Sequence, residues 1–313
     1  MSSTLAMQDE PGSKRALRQL FSLIPFEMRI TGRRRDLGMY LMDRLYPPPT
    51  GGNMEMMSTS DGKEFLLDLN ACNQRLLSYY YGNLLRHYRT SPLNQVMLDL
   101  AHRHSPPGTF LDVGGNLGLY SLLARDAGFD TVVVEAEPQH ADFLRRHSDL
   151  YPTVFSVAVG DEESTARFFV SESNPGGSSL VSEKHDAPEA EDQKPSLYQS
   201  SIDVKVRRLD ALVAELPDQG ASIRMIKIDV EGFEEAVVKG MTAFLEAGHR
   251  PVIWCEVRGP ESDRAPDSYR TVCANLSAFG YRPFWGEKPG QPAFEEGATS
   301  LPQVFDLLFR AGG

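Results

Sequence analysis

Cysteine is scarce in this sequence: the 313 residues include only Cys72, Cys255 and Cys273. Three scattered cysteines are too few for a disulfide framework or a zinc cluster, so we expect a reducing compartment. No apolar run approaches the roughly 20 residues that a membrane span needs. The first residues, MSSTLAMQDEPGSK, lack the apolar core of a signal peptide. We therefore expect a cytoplasmic protein with no membrane partner.

Basic residues are also less frequent than acidic ones. The chain has 32 lysines and arginines against 43 acidic residues, which gives a net charge of −11. A nucleic-acid partner requires a basic surface that neutralises phosphates, so nucleic acid is excluded as the main partner. With 41% hydrophobic and 24% charged residues, the composition is typical of a globular protein with a sizeable core.

The stretch FLDVGGNLG, residues 110–118, is the one around which the other elements can be placed. Four residues typical of a buried strand end lead into a turn with Gly114, Gly115 and Gly118. Apolar residues at spacings of three and four then indicate a helix. Glycine allows positive φ and a close approach between backbone and ligand. The pattern predicts a strand, a glycine turn and a helix, as in nucleotide-binding α/β sheets.

An acidic residue, Asp112, precedes the first glycine by two positions. The glycines do not fit the G-x-G-x-x-G spacing of a dinucleotide site, and the acid would repel a pyrophosphate. It suits a ligand with an ammonium group and no phosphate. The D-x-G-x-N-x-G pattern, which includes Asn116, resembles the first motif of S-adenosylmethionine-dependent methyltransferases. The alternative is a glycine turn that only closes the corner between strand and helix.

Acidic residues follow the next predicted strand, at residues 131–135. It ends in Glu135-Ala136-Glu137-Pro138. An acid at this place in a doubly wound sheet accepts hydrogen bonds from the ribose hydroxyls of a bound nucleoside. Alternation along the strand favours Glu137, and Glu135 remains a second candidate.

A third strand is predicted at residues 154–159. It contains Ala158 and is closed by Gly160 and Asp161. The end of such a strand commonly flanks the adenine of a bound nucleoside, so Ala158 and Asp161 are candidate cofactor contacts.

A second motif, MIKIDVEG at residues 225–232, reads as a central strand that carries charges at its end, and a helix is expected after Gly232. Lys227, Asp229 and Glu231 share one side by alternation, and charges at the carboxyl edge of a parallel sheet lie at its binding crevice. A salt-bridged strand end explains Lys227 but leaves two acids unexplained. The following strand, 252–257, adds Glu256.

The chain divides into an N-terminal section, residues 1–104, and a larger domain, residues 105–313. The first section is mainly helical in its patterns, with helices expected from Ala16 and over 74–88, a linker at 47–52 and a strand at 64–69. A further helix is expected after Ser91, its N-cap, and Pro92.

Within the larger domain, residues 171–201 are too polar to pack as core. We interpret this segment as a lid over the site, with a disordered surface loop as the alternative. Residues 174–179 are its expected ordered portion.

Five stretches together resemble the FkbM-type methyltransferases, which are class I S-adenosylmethionine-dependent enzymes. They are FLDVGGNLGLYSLLA, VVVEAEP, VRRLDALV, MIKIDVEGFEEAVVKGM and FGYRPF. The resemblance covers roughly residues 105–285. It implies an α/β fold with a doubly wound, mostly parallel, seven-stranded Rossmann-like sheet, to which the N-terminal extension is added.

The resemblance also assigns roles. Asp112, Gly114, Asn116 and Gly118 would hold the methionine tail, with Gly115 in the same turn, and Glu137 would hold the ribose. Asp229 and Glu231 would lie by the transferred methyl group, with Asp229 also contacting the cofactor. Two residues depart from the family pattern: Gly115 replaces the usual Ala, and Ala136 replaces the usual Phe.

The implied activity is S-adenosylmethionine-dependent O-methylation of a hydroxyl or carboxylate on a small molecule such as a sugar or secondary metabolite. Asp229, Glu231 and Glu256 are the candidate catalytic acids. They could instead bind a divalent cation, but no metal-ligand spacing is visible. An NAD(P)-dependent oxidoreductase and a non-catalytic nucleoside-binding protein are the alternative functions, and the chain could form a homodimer.

Overall fold

The structure is a computed structural model, and it describes residues 54–58, 64–68, 91–171, 177–180, 200–262, 265–288, 290–295, 297 and 300–312. The helices predicted from Ala16 and over 74–88, and the linker at 47–52, lie outside these residues. The division at residue 104 therefore stays a prediction. Most of the lid predicted at 171–201, including residues 174–176 of its expected ordered portion, also lies outside the described residues.

The elements follow one another with strands and helices alternating through most of the chain. In chain order they are β1 (Met54–Ser58), β2 (Glu64–Asp68), α1 (Pro92–Arg103), β3 (Thr109–Val113), α2 (Leu119–Asp126), β4 (Asp130–Val134), α3 (Pro138–Arg146), β5 (Thr153–Phe155), β6 (Ala158–Gly160), β7 (Ser164–Val170), β8 (Ser200–Arg208), α4 (Leu209–Ala214), β9 (Ile223–Ile228), α5 (Glu234–Gly240), α6 (Thr242–Glu246), β10 (Val252–Arg258), α7 (Ser268–Ser277), β11 (Tyr281–Trp285) and β12 (Val304–Ala311).

Seven strands form the main sheet, in the order β11-β12-β10-β9-β3-β4-β5. The neighbours from β10 to β5 are parallel, and β12 is antiparallel to both β10 and β11. The predicted doubly wound, mostly parallel, seven-stranded sheet is therefore confirmed. β1 and β2 pair with each other in a separate two-stranded sheet, and β2 matches the strand predicted at 64–69.

The central strands β3 and β9 are buried because helices cover both faces of the sheet. On one face, Leu111 and Ile226 belong to a core that also contains residues of α5 and α7. On the other face, Phe110 and Met225 pack with residues of α1 and α2. Burial on two faces explains why these strands read as nearly continuous apolar runs.

The helix α1 begins as its sequence predicts. Ser91 is the N-cap, its Oγ accepts a hydrogen bond from the Asn94 backbone N–H at 3.2 Å, and Pro92 occupies the first turn.

No helix in the described ranges is long and apolar enough to cross a membrane.

Two predicted elements prove to be wrong in their extent. The strand predicted at 154–159 divides: β5 pairs with β4 in the main sheet, whereas β6 leaves that sheet and pairs with β8. With β7, these strands form a second sheet in the order β6-β8-β7. The helix predicted after Gly232 also divides, into α5 and α6, with Met241 between them.

A close backbone contact joins α5 to the second sheet, and it can be tested by mutation. A Cβ atom on Gly240 would overlap the carbonyl oxygen of Gly160 in β6. We expect Gly240→Ala to lower the free energy of unfolding by about 1–3 kcal/mol, because the backbones must separate. Gly297→Ala is the control, since a Cβ there would have no atom within 4 Å. Urea denaturation of both variants measures the effect, and equal stabilities would contradict the contact.

Candidate functional site

The predicted site residues converge on one edge of the main sheet, where the parallel strands end. The glycine turn follows β3, Glu135 and Glu137 follow β4, and Asp229 and Glu231 follow β9. Glu256 lies near the end of β10. Adjacent parallel strands bring these segments together from distant parts of the sequence, as expected for a binding crevice.

The glycine turn is held by hydrogen bonds from its own backbone. The N–H groups of Gly114 and Gly115 both donate to the carbonyl oxygen of Val134, at 2.9 and 3.1 Å. Gly114 has a φ of 81°, and a Cβ there would overlap the carbonyl oxygen of Asp229. A ligand was the expected reason for this glycine. The structure adds a reason within the protein, namely the close approach of the loop after β9.

Glu135 connects the glycine turn to the segment after β4 through its two carboxylate oxygens. Its Oε2 accepts from the Asn116 backbone N–H at 2.6 Å, and its Oε1 accepts from the Glu137 N–H at 2.7 Å. Burial raises the pKa of Glu135 to about 7, although both hydrogen bonds act in the opposite direction. Glu135 therefore positions the turn, and a direct contact with ribose stays a prediction.

Glu137 lies three residues beyond the end of β4. Alternation favours it as the ribose contact, and that contact stays a prediction. Glu137 is the N-cap residue of α3 and is 7% exposed. Its Oε2 accepts a hydrogen bond from the Ser178 hydroxyl at 3.3 Å and lies 3.6 Å from Nδ1 of His140. Burial raises the pKa of Glu137, and the Ser178 hydrogen bond lowers it.

Asp112 is completely buried in β3. Its Oδ2 accepts from the Ser121 hydroxyl at 2.7 Å, and its Oδ1 lies 4.0 Å from Nζ of Lys227. Within the described residues Oδ1 has no hydrogen-bond partner. Burial raises the pKa of Asp112, while the Lys227 charge lowers it. Its predicted contact with a ligand ammonium group stays a prediction.

Lys227 connects the first and second motifs electrostatically. Its Nζ lies 2.8 Å from Oδ2 of Asp229 and 4.7 Å from the centre of the Tyr120 ring. Burial lowers the pKa of Lys227, but the charges of Asp229 and Asp112 outweigh burial, so the pKa is raised overall. Lys227 therefore stays an ammonium ion and fixes the position of Asp229.

Arg258 forms the corresponding ion pairs with the other two acids, Glu231 and Glu256. Its Nη2 lies 2.7 Å from Oε2 of Glu231 and 2.8 Å from Oε1 of Glu256. One carboxylate oxygen each from Asp229, Glu231 and Glu256 lies within 4.8 Å of the others, close enough to surround a cation. Arg258 already brings a positive charge to two of these three acids.

Asp306 is a site residue that sequence reasoning missed. It lies opposite Glu256 in the pairing of β10 with β12. Burial raises its pKa to about 8, and the charges of Glu287 and Asp229 add to that rise. β12 runs antiparallel to β10, so Asp306 reaches this edge from the start of its strand. A single acid within the apolar stretch VFDLLF was the available signal.

The predicted adenine contacts are not brought together in one strand. Ala158 lies in β6, paired with Val206, whereas Asp161 follows the end of that strand. The backbone carbonyl of Asp161 accepts a hydrogen bond from Arg208. Ala158 belongs to the second sheet and Asp161 directly follows it, because the chain leaves the main sheet after Phe155. Their contact with adenine stays a prediction.

Comparison with known proteins gives one family match and one curated relative. A model of the methyltransferase FkbM domain matches residues 112–283. Methyltransferase 1 of Beauveria bassiana (strain ARSEF 2860) is 27% identical over 149 residues, which are 44% of this chain and 59% of that protein. This chain therefore matches less than two thirds of the length of that relative.

Three solved structures show weak similarity. Precorrin-6y C5,15-methyltransferase from Geobacter metallireducens GS-15 has a TM-score of 0.35 and 15% identity, with 69% of this chain and 87% of that chain covered. Magnesium protoporphyrin IX methyltransferase from Synechocystis PCC 6803, with bound SAM, has a TM-score of 0.37 and 10% identity, covering 77% and 97%. A SAM-dependent methyltransferase from Bacteroides fragilis, in complex with S-adenosyl-L-homocysteine, has a TM-score of 0.33 and 12% identity, covering 92% and 97%.

The buried carboxyl of Glu135 predicts a pH dependence of stability. The pKa of Glu135 is about 7 in the folded protein, whereas a glutamate carboxyl in an unfolded chain has a pKa of about 4.5. At a pH between these two values, the unfolded chain has released a proton that the folded protein keeps. The carboxyl therefore destabilises the fold progressively as pH rises from about 4.5 to about 7. We expect Glu135→Gln, which cannot ionise, to show a shallower loss of unfolding free energy over this range. Urea denaturation at a series of pH values measures it, and parallel curves for variant and wild type would contradict it.

Proposed function

The chain belongs to the FkbM family of methyltransferases, and we propose that it transfers a methyl group from S-adenosylmethionine to an oxygen of a small molecule. The acceptor group is a hydroxyl or a carboxylate, on a compound such as a sugar or a secondary metabolite. The observation that carries the proposal is the family match, because residues 112–283 contain the glycine turn and the acids after β9.

The residues at the sheet edge fit the cofactor chemically. S-adenosylmethionine presents an ammonium group and ribose hydroxyls, which require hydrogen-bond acceptors, and it has no phosphate. Asp112 contributes a buried carboxylate oxygen with no hydrogen-bond partner in the described ranges. Glu137 contributes a second carboxylate, after β4. We assign Asp112 to the ammonium end and Glu137 to the ribose.

The protein's own contribution is to align the acceptor oxygen and, where the acceptor is a hydroxyl, to remove its proton. S-adenosylmethionine supplies a methyl group on a positively charged sulfur, which an oxygen nucleophile attacks in line. The side chains of Asp229 and Glu231 are 32% and 22% exposed, so an acceptor can reach them from solvent. Lys227 and Arg258 hold these two carboxylates in place. Asp229 is our first candidate base, and Glu231 is the second.

Glu256 and Asp306 are suited to a different part in the reaction. Burial raises the pKa of Glu256, and the charges of Asp229 and Glu231 raise it further. Burial also raises the pKa of Asp306, to about 8. With a pKa of about 8, Asp306 keeps its proton near neutral pH and can donate a hydrogen bond to an acceptor. Glu256 accepts a hydrogen bond from Arg258. A divalent cation is not needed in this proposal, because Arg258 already pairs with Glu231 and Glu256.

Two other functions remain to be separated from this one by experiment. An NAD(P)-dependent oxidoreductase has no support from the family match, and the glycine spacing argues against it. A non-catalytic nucleoside-binding protein would bind the cofactor but would not consume it. Measurements of ligand binding and of turnover therefore distinguish the three functions.

The cofactor assignment predicts selective binding. We expect S-adenosylmethionine and S-adenosylhomocysteine to bind with dissociation constants in the micromolar range, and NAD not to bind, because the acid two residues before Gly114 repels a pyrophosphate. Isothermal titration calorimetry of the full chain with the three ligands measures this. Heat from NAD binding, with none from S-adenosylhomocysteine, would overturn the proposed function.

The base assignment predicts a kinetic effect at Asp229. We expect Asp229→Asn to lower kcat by about 10²–10⁴-fold, the usual contribution of a general base, with a much smaller change in cofactor affinity. The assay follows S-adenosylhomocysteine release with an acceptor found by screening hydroxylated small molecules. Glu235→Gln is the control, since Glu235 pairs with Lys239 on α5 away from these acids. Full turnover in Asp229→Asn would assign the base to another acid, with Glu231 tested next.

A further inference from the structure

Residues 177–180, in the polar segment between β7 and β8, form a short strap. The strap contacts the loop after β4 and the loop after β9. Ser179 pairs with Phe169 of β7: its N–H donates to the Phe169 carbonyl at 3.0 Å, and its carbonyl accepts from the Phe169 N–H at 2.8 Å. The Ser179 hydroxyl donates to the carbonyl oxygen of Glu231 at 2.7 Å. The strap is thus attached to β7 and to the loop after β9.

Ser179 itself is completely buried, and its hydroxyl stabilises an uncommon backbone conformation. Glu231 has a φ of 58°, in the left-handed region that residues with a side chain rarely adopt. The hydrogen bond from Ser179 holds the carbonyl of that residue. Since both residues are fixed, the position of the next residue toward the N-terminus, Ser178, is fixed as well.

Ser178 lies between the strap and the acid that we assign to the ribose. Its Oγ accepts from the Ser171 N–H at 3.0 Å and donates to Oε2 of Glu137 at 3.3 Å. This donor–acceptor chain orients the hydroxyl hydrogen toward Glu137, because the Ser171 N–H already occupies an acceptor position of the oxygen. The contact joins residues 41 positions apart in sequence.

Two other side chains, His140 and Glu135, lie close to Glu137. Nδ1 of His140 lies 3.6 Å from Oε2 of Glu137 and 3.9 Å from Oε1 of Glu135. Burial lowers the pKa of His140 to about 4, so the ring is neutral near pH 7 and supplies no positive charge. Glu135 uses both oxygens on backbone N–H groups, one of them the N–H of Glu137. The Glu135 contact fixes the backbone at Glu137, whereas Ser178 donates a hydrogen bond to its carboxylate.

We propose that Ser178 is a positioning residue for the cofactor, whose hydroxyl holds the Glu137 carboxylate where it accepts hydrogen bonds from the ribose hydroxyls. Ser179 anchors the strap that presents this hydroxyl. The inference rests on the proposed function, because it takes S-adenosylmethionine as the ligand and Glu137 as its ribose contact. It adds a residue from outside the motifs at the strand ends to the cofactor site.

The first test is a double-mutant cycle on S-adenosylhomocysteine binding, measured by calorimetry. We expect Ser178→Ala to weaken binding about 3- to 10-fold, as for loss of a modest hydrogen bond, and Glu137→Gln to weaken it more. Because Ser178 acts through Glu137, the double variant should bind no more weakly than Glu137→Gln alone. Ser178→Thr, which keeps the hydroxyl, should bind like wild type. Ser164→Ala, an exposed serine on β7, is the matched control.

A second ligand separates positioning from a general structural effect. The 2′,3′-dideoxy analogue of S-adenosylhomocysteine lacks the hydroxyls that Glu137 is proposed to hold. We expect Ser178→Ala and wild type to bind this analogue equally. Additive losses in the cycle, an unchanged affinity in Ser178→Ala, or an equal loss for both ligands would overturn the inference while leaving the proposed function intact. Wild type that fails to bind S-adenosylhomocysteine would overturn the proposed function, and this inference with it.

Discussion

The contact between Gly114 and the Asp229 carbonyl oxygen is the constraint on which this site depends. Any Cβ at Gly114 would overlap that oxygen, and the Asp229 N–H donates to the Val113 carbonyl at 3.0 Å. The ends of β3 and β9 are therefore in direct backbone contact. The turn proposed for the methionine end and the acid proposed for the acceptor are thus held at one fixed separation, which in-line transfer between two ligands requires.

Two buried cations stabilise the acids along this edge. Lys227 pairs with Asp229 and lies near Asp112, while Arg258 pairs with Glu231 and Glu256. Without these partners, the acids would be costly to hold as anions in a partly buried site, since burial disfavours the charged form. Each cation also connects residues of two neighbouring segments, so the charges fix geometry as well as protonation. The arrangement thereby places acids that are paired with cations beside Asp306, whose pKa burial raises to about 8.

Much of the fold could be predicted because the central strands carry strong local signals. The glycine turn after residues 110–113 and the acids after residues 225–228 identified two strands, which the fold places side by side. Their continuous apolar runs indicated burial on both faces. The prediction of a single strand at 154–159 was wrong for a physical reason. The residues of this stretch are β-formers throughout, but a change of sheet after Phe155 depends on the partners that each half meets, β4 and β8.

The site was predicted unevenly for the same reason. Acids that directly follow parallel strands, such as Glu137 and Asp229, were found because strand ends converge in space. Asp306 was missed because β12 is antiparallel and brings its beginning to this edge. Ser178 lay in a polar segment whose composition showed no preference for any partner, and only the folded chain places its hydroxyl beside Glu137.

Hydrogen–deuterium exchange of the full chain, with and without saturating S-adenosylhomocysteine, tests most directly whether this sheet edge is the cofactor site. The ligand contacts that we assign should slow exchange in peptides covering residues 112–122 and 134–140, while peptides covering α7 stay unchanged. The opposite edge of the main sheet, where the same parallel strands begin, is an internal reference. Protection confined to that reference edge, or to α7, with the ligand demonstrably bound would contradict the account.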